Sequence, residues 1–86
     1  MKILFFSASF CSQCPAAKKA IKNLKLDTIN FDADEHPEEF KTYGIRSIPS
    51  IVLLDNNGQE VKRLTSKVNQ DTITEFLKGV DYDFSS

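Results

Sequence analysis

Four apolar residues stand in a row near the start of the chain, Ile3-Leu4-Phe5-Phe6. A strand with one wet face alternates apolar and polar side chains. An unbroken run needs cover on both faces, as in a central parallel strand flanked by helices. The run is too short for a membrane span or a signal core, and only Lys2 precedes it. It therefore reads as a buried strand, and the protein is expected to stay in the cytoplasm. With 86 residues there is room for one two-layer domain, taken as residues 1–80, with 81–86 as a loose tail. The net charge is -1 with both signs scattered, so no nucleic acid and no membrane surface is expected as a partner.

The rest of the chain supplies the covering layers. After Cys11, the positions Cys14, Ala17, Ile21 and Leu24 fall on one helical face, and Lys18, Lys19, Lys22 and Lys25 fill the others. Ile29 and Phe31 alternate with polar residues, as in a second strand. Pro37 suits a helix start and Gly44 a stop. Ser50 to Leu54 is another apolar run, and Asp55-Asn-Asn-Gly58 turns it into a returning strand, Glu60 to Leu64. Asn69 caps a last helix whose buried stripe is Ile73, Phe76, Leu77 and Val80, with Gly79 near its end. The expected order is β-α-β-α-β-β-α, an α/β fold with a four-stranded mixed sheet flanked by helices. Strands one and two should run parallel and strands three and four antiparallel.

Phe10-Cys11-Ser12-Gln13-Cys14-Pro15 carries the chemistry, because it lies where a strand ends and a helix begins. Helix N-termini present unpaired N–H groups and partial positive charge, which stabilise a thiolate. Three-residue spacing in a first helical turn brings two sulfurs within bridging reach. Cys11 at the tip is the expected nucleophile, and Cys14 on the apolar face is the sheltered resolving thiol. The competing reading is zinc, which needs four ligands or three and water. The chain offers Cys11, Cys14 and, in another segment, His36, so a redox pair is the better reading; a metal bridged between two chains is the remaining metal alternative. No metal or other cofactor is expected.

Taken together, Cys11-Ser-Gln-Cys14 after a strand, Tyr43-Gly-Ile-Arg-Ser-Ile-Pro-Ser50, and Asn56-Asn-Gly58 between two strands resemble the thioredoxin family from Ile3 to Leu77. The middle segment is close to that family's K-Y-G-I-R-G-I-P-T. The resemblance implies a thioredoxin fold of glutaredoxin size, without the extra N-terminal strand and helix of full-size thioredoxins. It implies thiol–disulfide exchange with disulfide-containing proteins, recharging by a flavin-dependent thioredoxin reductase, and action as a monomer. It also implies that the Ile48–Pro49 bond is cis, that Pro49 shields the thiols, and that the Ile48 backbone pairs with an extended substrate docked across Phe10.

Several positions depart from the family pattern. Phe10 replaces a tryptophan, Ser12-Gln13 a Gly-Pro pair, and Pro15 a basic residue. The buried strand carboxylate that serves the resolving thiol is Phe5 here, and its lysine partner aligns with Asn30. A substrate-groove glycine aligns loosely with Ser66. Ser12-Gln13 and the following Ala16-Ala-Lys-Lys-Ala20 also resemble the glutaredoxin-like hydrogen donors of ribonucleotide reductase, an alternative within the same chemistry. Glutaredoxins proper hold glutathione with a lysine and a Gly-Gly pair; Ala8 and Thr65-Ser-Lys-Val-Asn69 stand there instead. A binding module of this fold without redox turnover is the alternative of a different class. His36 and its acidic neighbours read as a solvated loop and helix face, Lys18 as a charge favouring the Cys11 thiolate, and Phe31, Phe40, Phe76 and the strand residues as core.

Overall fold

A computed structural model describes residues 2–65 and 67–78. Gly79, Val80 and the expected tail 81–86 lie outside the described residues, as does Ser66. The elements run β1 (Lys2–Ser7), α1 (Cys14–Asn23), β2 (Thr28–Asp32), α2 (Pro37–Thr42), β3 (Ser50–Leu54), β4 (Glu60–Thr65) and α3 (Gln70–Leu77). The strands form one sheet in the order β2-β1-β3-β4. β1 is parallel to β2, and β1–β3 and β3–β4 are antiparallel.

The unbroken apolar runs of β1 and β3 become the two central strands, buried on both faces. Ile3, Phe5, Ile51 and Leu53 face α1 and α3, in a cluster closed by Ala17, Ala20, Ile21, Ile73, Phe76 and Leu77. Leu4, Phe6, Val52 and Leu54 face the other way. There the Phe6 ring lies 5.0 Å from Phe40, 5.3 Å from Phe31 and 5.8 Å from Tyr43. Such aromatic pairs add about 0.5–1.5 kcal/mol each beyond the area they bury. Not every strand residue is core. β4 is exposed along most of its length, and Val61 and Ile29 show 46% and 44% of their surface. Both belong to edge strands, which have a neighbour on one side only. Phe31 and Phe40 are half-buried at the border of the second cluster, whereas Phe76 is buried.

The helix ends show how local chemistry sets the boundaries. Asn69 caps α3 by accepting from the Thr72 N–H at 2.9 Å, and its own N–H donates to the Thr72 hydroxyl at 2.8 Å. α1 and α2 end in the same way. Lys25 and Leu26 donate back to Lys22 and Ile21, and Gly44 and Ile45 to Lys41 and Phe40. This arrangement needs a left-handed residue just past the helix. Gly44 supplies it at φ 63°, but in α1 the residue is Lys25 at φ 56°. In the β3–β4 turn, the Asp55 carboxylate accepts from the Asn57 and Gln59 N–H groups, and Gly58 takes φ 82°. Among the described residues, no helix is long and apolar enough to cross a membrane.

Candidate active site

β1 delivers the chain to one end of the sheet and α1 carries it away, with Cys11 in the loop between them. The helix begins at Cys14, so Cys11 precedes it instead of occupying its first turn. Pro15 explains the boundary, since its fixed φ and missing N–H suit the first helical positions. Gln13 is the N-cap but makes no side-chain cap, and the first turn contains no acidic residue. The partial positive charge of α1 is therefore left uncompensated beside the Cys11 loop. The loop is braced on both sides. The Cys11 N–H donates to the Ala8 carbonyl at 3.2 Å, and the Ser9 hydroxyl donates to the Asp34 carboxylate at 2.9 Å.

The two thiols are free and differ sharply in environment. Cys11 is half-buried, while Cys14 is 2% exposed. Burial, reinforced by a hydrogen bond with Cys11, pushes the Cys14 thiol up from 9.0 to about 11; a backbone hydrogen bond with Ala8 and the charge of Lys18 act the other way. Cys14 thus keeps its proton and offers it to the Cys11 sulfur. Lys18, expected to favour the Cys11 thiolate, acts on Cys14. Phe5 packs on the α1 side of the sheet with Ala17, fully buried, and is paired in register with Asn30. No carboxylate stands at that position.

The second half of the site arrives through the β1–β3 pairing. Phe6 is opposite Ser50, so the residues before Ser50 come to the end of the sheet where the Cys11 loop begins. There the Ile48–Pro49 bond is cis, Pro49 is fully buried and Ile48 half-buried. Phe10 presents 75% of its surface on the cysteine loop. Arg63 steadies the segment leading to Ile48. Its guanidinium donates to the Tyr43 carbonyl at 2.7 Å while holding Glu60 at 2.6 and 2.8 Å, which keeps the Glu60 carboxyl below its usual range.

Two contacts around this loop escaped the sequence reading. One is Arg63, whose role needs the β3–β4 register. The other is Ser50, whose hydroxyl donates to the Ser47 carbonyl at 2.5 Å; nothing in the sequence marks that contact. His36 stands in the loop just before α2 as its N-cap, with its side chain 43% exposed and its ring edge-on to Phe31 at 5.4 Å. Among the described residues, no group of three or more His, Cys, Asp or Glu side chains is placed to hold a metal ion.

A mixed four-stranded sheet, a Cys-x-x-Cys loop entering a helix and a cis-proline at the same end define a dithiol protein of the thioredoxin fold. The thioredoxin family model matches residues 1–79, and the chain belongs to that family. Among curated relatives, it is similar to a thioredoxin of Rickettsia bellii, 38% identical over 61 residues, 64% of this chain and 58% of that protein. It is also similar to thioredoxin 1 of a Nostoc species, 27% identical over 85% of this chain and 73% of the other. The match to the Rickettsia protein thus spans little more than half of that relative's length. Among solved structures, thioredoxin 1 of Thermosipho africanus superposes with a TM-score of 0.63 at 26% identity, covering 91% of this chain and 96% of the other. A mutant thioredoxin of Halobacterium salinarum gives 0.80 at 20% identity over 94% and 74%, a likeness of fold.

Proposed function

We propose that the chain is a thiol–disulfide oxidoreductase that reduces disulfides of protein substrates through Cys11 and Cys14. The carrying observation is the asymmetry of the pair: an accessible Cys11 beside a buried Cys14 that retains its proton. Cys11 as thiolate attacks one sulfur of a substrate disulfide docked across Phe10 and the Ile48–Pro49 segment. The substrate's other sulfur leaves as a thiolate and takes a proton from water, and a mixed disulfide forms. Cys14 then loses its proton and attacks Cys11, which releases the second substrate thiolate and leaves the Cys11–Cys14 disulfide. Two electrons pass from the dithiol to the substrate, and a reductase returns them.

The cysteine pair itself times the second step. Two of the influences holding the Cys14 proton come from Cys11, a hydrogen bond and like charge. Once Cys11 is tied up in the mixed disulfide, its thiolate is gone. Burial then acts alone against the Ala8 backbone and Lys18, so Cys14 gives up its proton more readily. With Phe5 beneath α1, the acceptor is water or the departing substrate thiolate.

The features at the start of α3 favour a flavin-dependent thioredoxin reductase over glutathione as the electron source. A glutathione site there needs free N–H groups and a nearby cation. Asn69 already occupies the Thr72 N–H, and Ala8 is a neutral, buried residue. The same reading takes the protein as a monomer in a reducing compartment such as the cytoplasm. The test is NADPH consumption at equal protein concentration, coupled to thioredoxin reductase or to glutathione with glutathione reductase. Faster turnover with thioredoxin reductase is expected; faster turnover with glutathione would refute the assignment. The missing carboxylate favours one other reading, a binding module without turnover, which failure of dithiothreitol-driven reduction of a protein disulfide would establish.

A further inference from the structure

We propose that Ser50 is a positioning residue that aims the Ile48 N–H at an incoming substrate strand. This rests on the oxidoreductase reading above and adds a residue to it. Ser50 opens β3 and is fully buried, opposite Phe6 on one side and Thr65 on the other. Its hydroxyl does not satisfy itself within the sheet. It reaches back along the chain and donates to the Ser47 carbonyl at 2.5 Å.

That carbonyl belongs to the same peptide unit as the Ile48 N–H. The Ser47–Ile48 bond is trans, so its C=O and N–H point in opposite directions across a rigid plane. With the oxygen held toward a buried hydroxyl, the N–H is turned away from the interior. Among the described residues the Ile48 N–H meets no acceptor, and Ser47 beside it is exposed. An outward donor at a fixed angle is what an extended peptide needs from a docking edge, because strand addition works through main-chain hydrogen bonds. The Ser50 bond fixes that angle before the substrate arrives, which reduces the ordering cost of docking. Ser50 touches neither sulfur in this scheme; it acts through Ile48.

The role predicts selectivity between substrates. A disulfide flanked by peptide uses the Ile48 N–H, whereas a small aromatic disulfide such as 5,5′-dithiobis(2-nitrobenzoate) has no backbone to pair. The experiment compares wild type with Ser50→Ala, Ser50→Thr and Ser50→Val, each reduced beforehand and freed of reductant, in single-turnover reactions with a disulfide-bonded peptide and with the aromatic disulfide. Loss of one oriented hydrogen bond should raise the half-saturating peptide concentration about fivefold in Ser50→Ala, with the saturating rate and the aromatic rate nearly unchanged. Thr and Val have the same shape and differ by the hydroxyl, so Thr should exceed Val on the peptide alone even if Ala fails to fold. Equal losses on both substrates, or no difference between Thr and Val, would overturn the positioning role. Wild type that reduces neither substrate would instead overturn the oxidoreductase reading, and this role with it.

Discussion

The pH dependence of Cys14 labelling offers the most direct access to the division of labour between the thiols. At pH 8 a thiol with a pKa of about 11 is thiolate in about one molecule in a thousand, against about one in ten for a thiol at 9.0. Since the thiolate is the reactive form, Cys14 should react with iodoacetamide at least about a hundredfold more slowly than an ordinary exposed cysteine. Its 2% exposure slows it further. In reduced protein at limiting reagent, mass-spectrometric mapping should find Cys11 modified first. The Cys14 rate should climb about tenfold per pH unit from pH 7 to 10 with no plateau. The same proton links to folding. The folded state holds it more tightly than the unfolded chain, so the stabilisation is full below pH 9 and disappears as pH rises through about 11. The loss is about 2–3 kcal/mol and should be absent from Cys14→Ala, which separates it from titrating lysines and tyrosines. A Cys14 plateau below pH 9.5, or equal alkaline losses in wild type and Cys14→Ala, would refute the argument.

The matched helix ends make a second comparison. Lys25→Gly should stabilise the protein by about 0.5–1 kcal/mol in urea unfolding, since it relieves a left-handed side-chain residue at the cost of a more flexible unfolded chain. Gly44→Ala should destabilise by about 1 kcal/mol through backbone strain alone, because an added Cβ there meets nothing within 4 Å. Phe5→Asp, which supplies a carboxylate where Cys14 has none, should lower stability by at least about 3 kcal/mol in the same assay, from lost packing and a desolvated charge. Unchanged stability would mean that Phe5 is not the packed floor beneath α1.

How far the sequence reached depends on the range of the forces involved. The buried character of β1 and β3, the stripe of α1, the Asn69 cap and the Gly58 turn were readable because each rests on periodicity or on contacts a few residues apart. The cis Ile48–Pro49 bond was not readable in that way; only the resemblance of Tyr43 to Ser50 to a known segment implied it. Cys-x-x-Cys spacing fits a single helical turn, but Pro15 sets where α1 begins, and Cys11 stays in the loop before it. The left-handed Lys25 was hidden as well, for nothing local marks a lysine as a helix stop.

By itself, the sequence determined which segments form strands and helices, that β1 and β3 need cover on both faces, and that two cysteines lie at a strand–helix junction. Those are consequences of side-chain hydrophobicity, turn chemistry and short-range spacing. The tertiary structure alone decided that β1 pairs antiparallel with β3, and with it that Pro49 and Ile48 come to the end of the sheet occupied by Cys11. It also decided how firmly burial and Cys11 hold the Cys14 proton, and that the Ser50 hydroxyl closes on Ser47. Strand order and desolvation depend on residues tens of positions apart, and the short Ser50–Ser47 contact forms where the packed sheet buries the Ser50 hydroxyl. They come into being when the chain has packed.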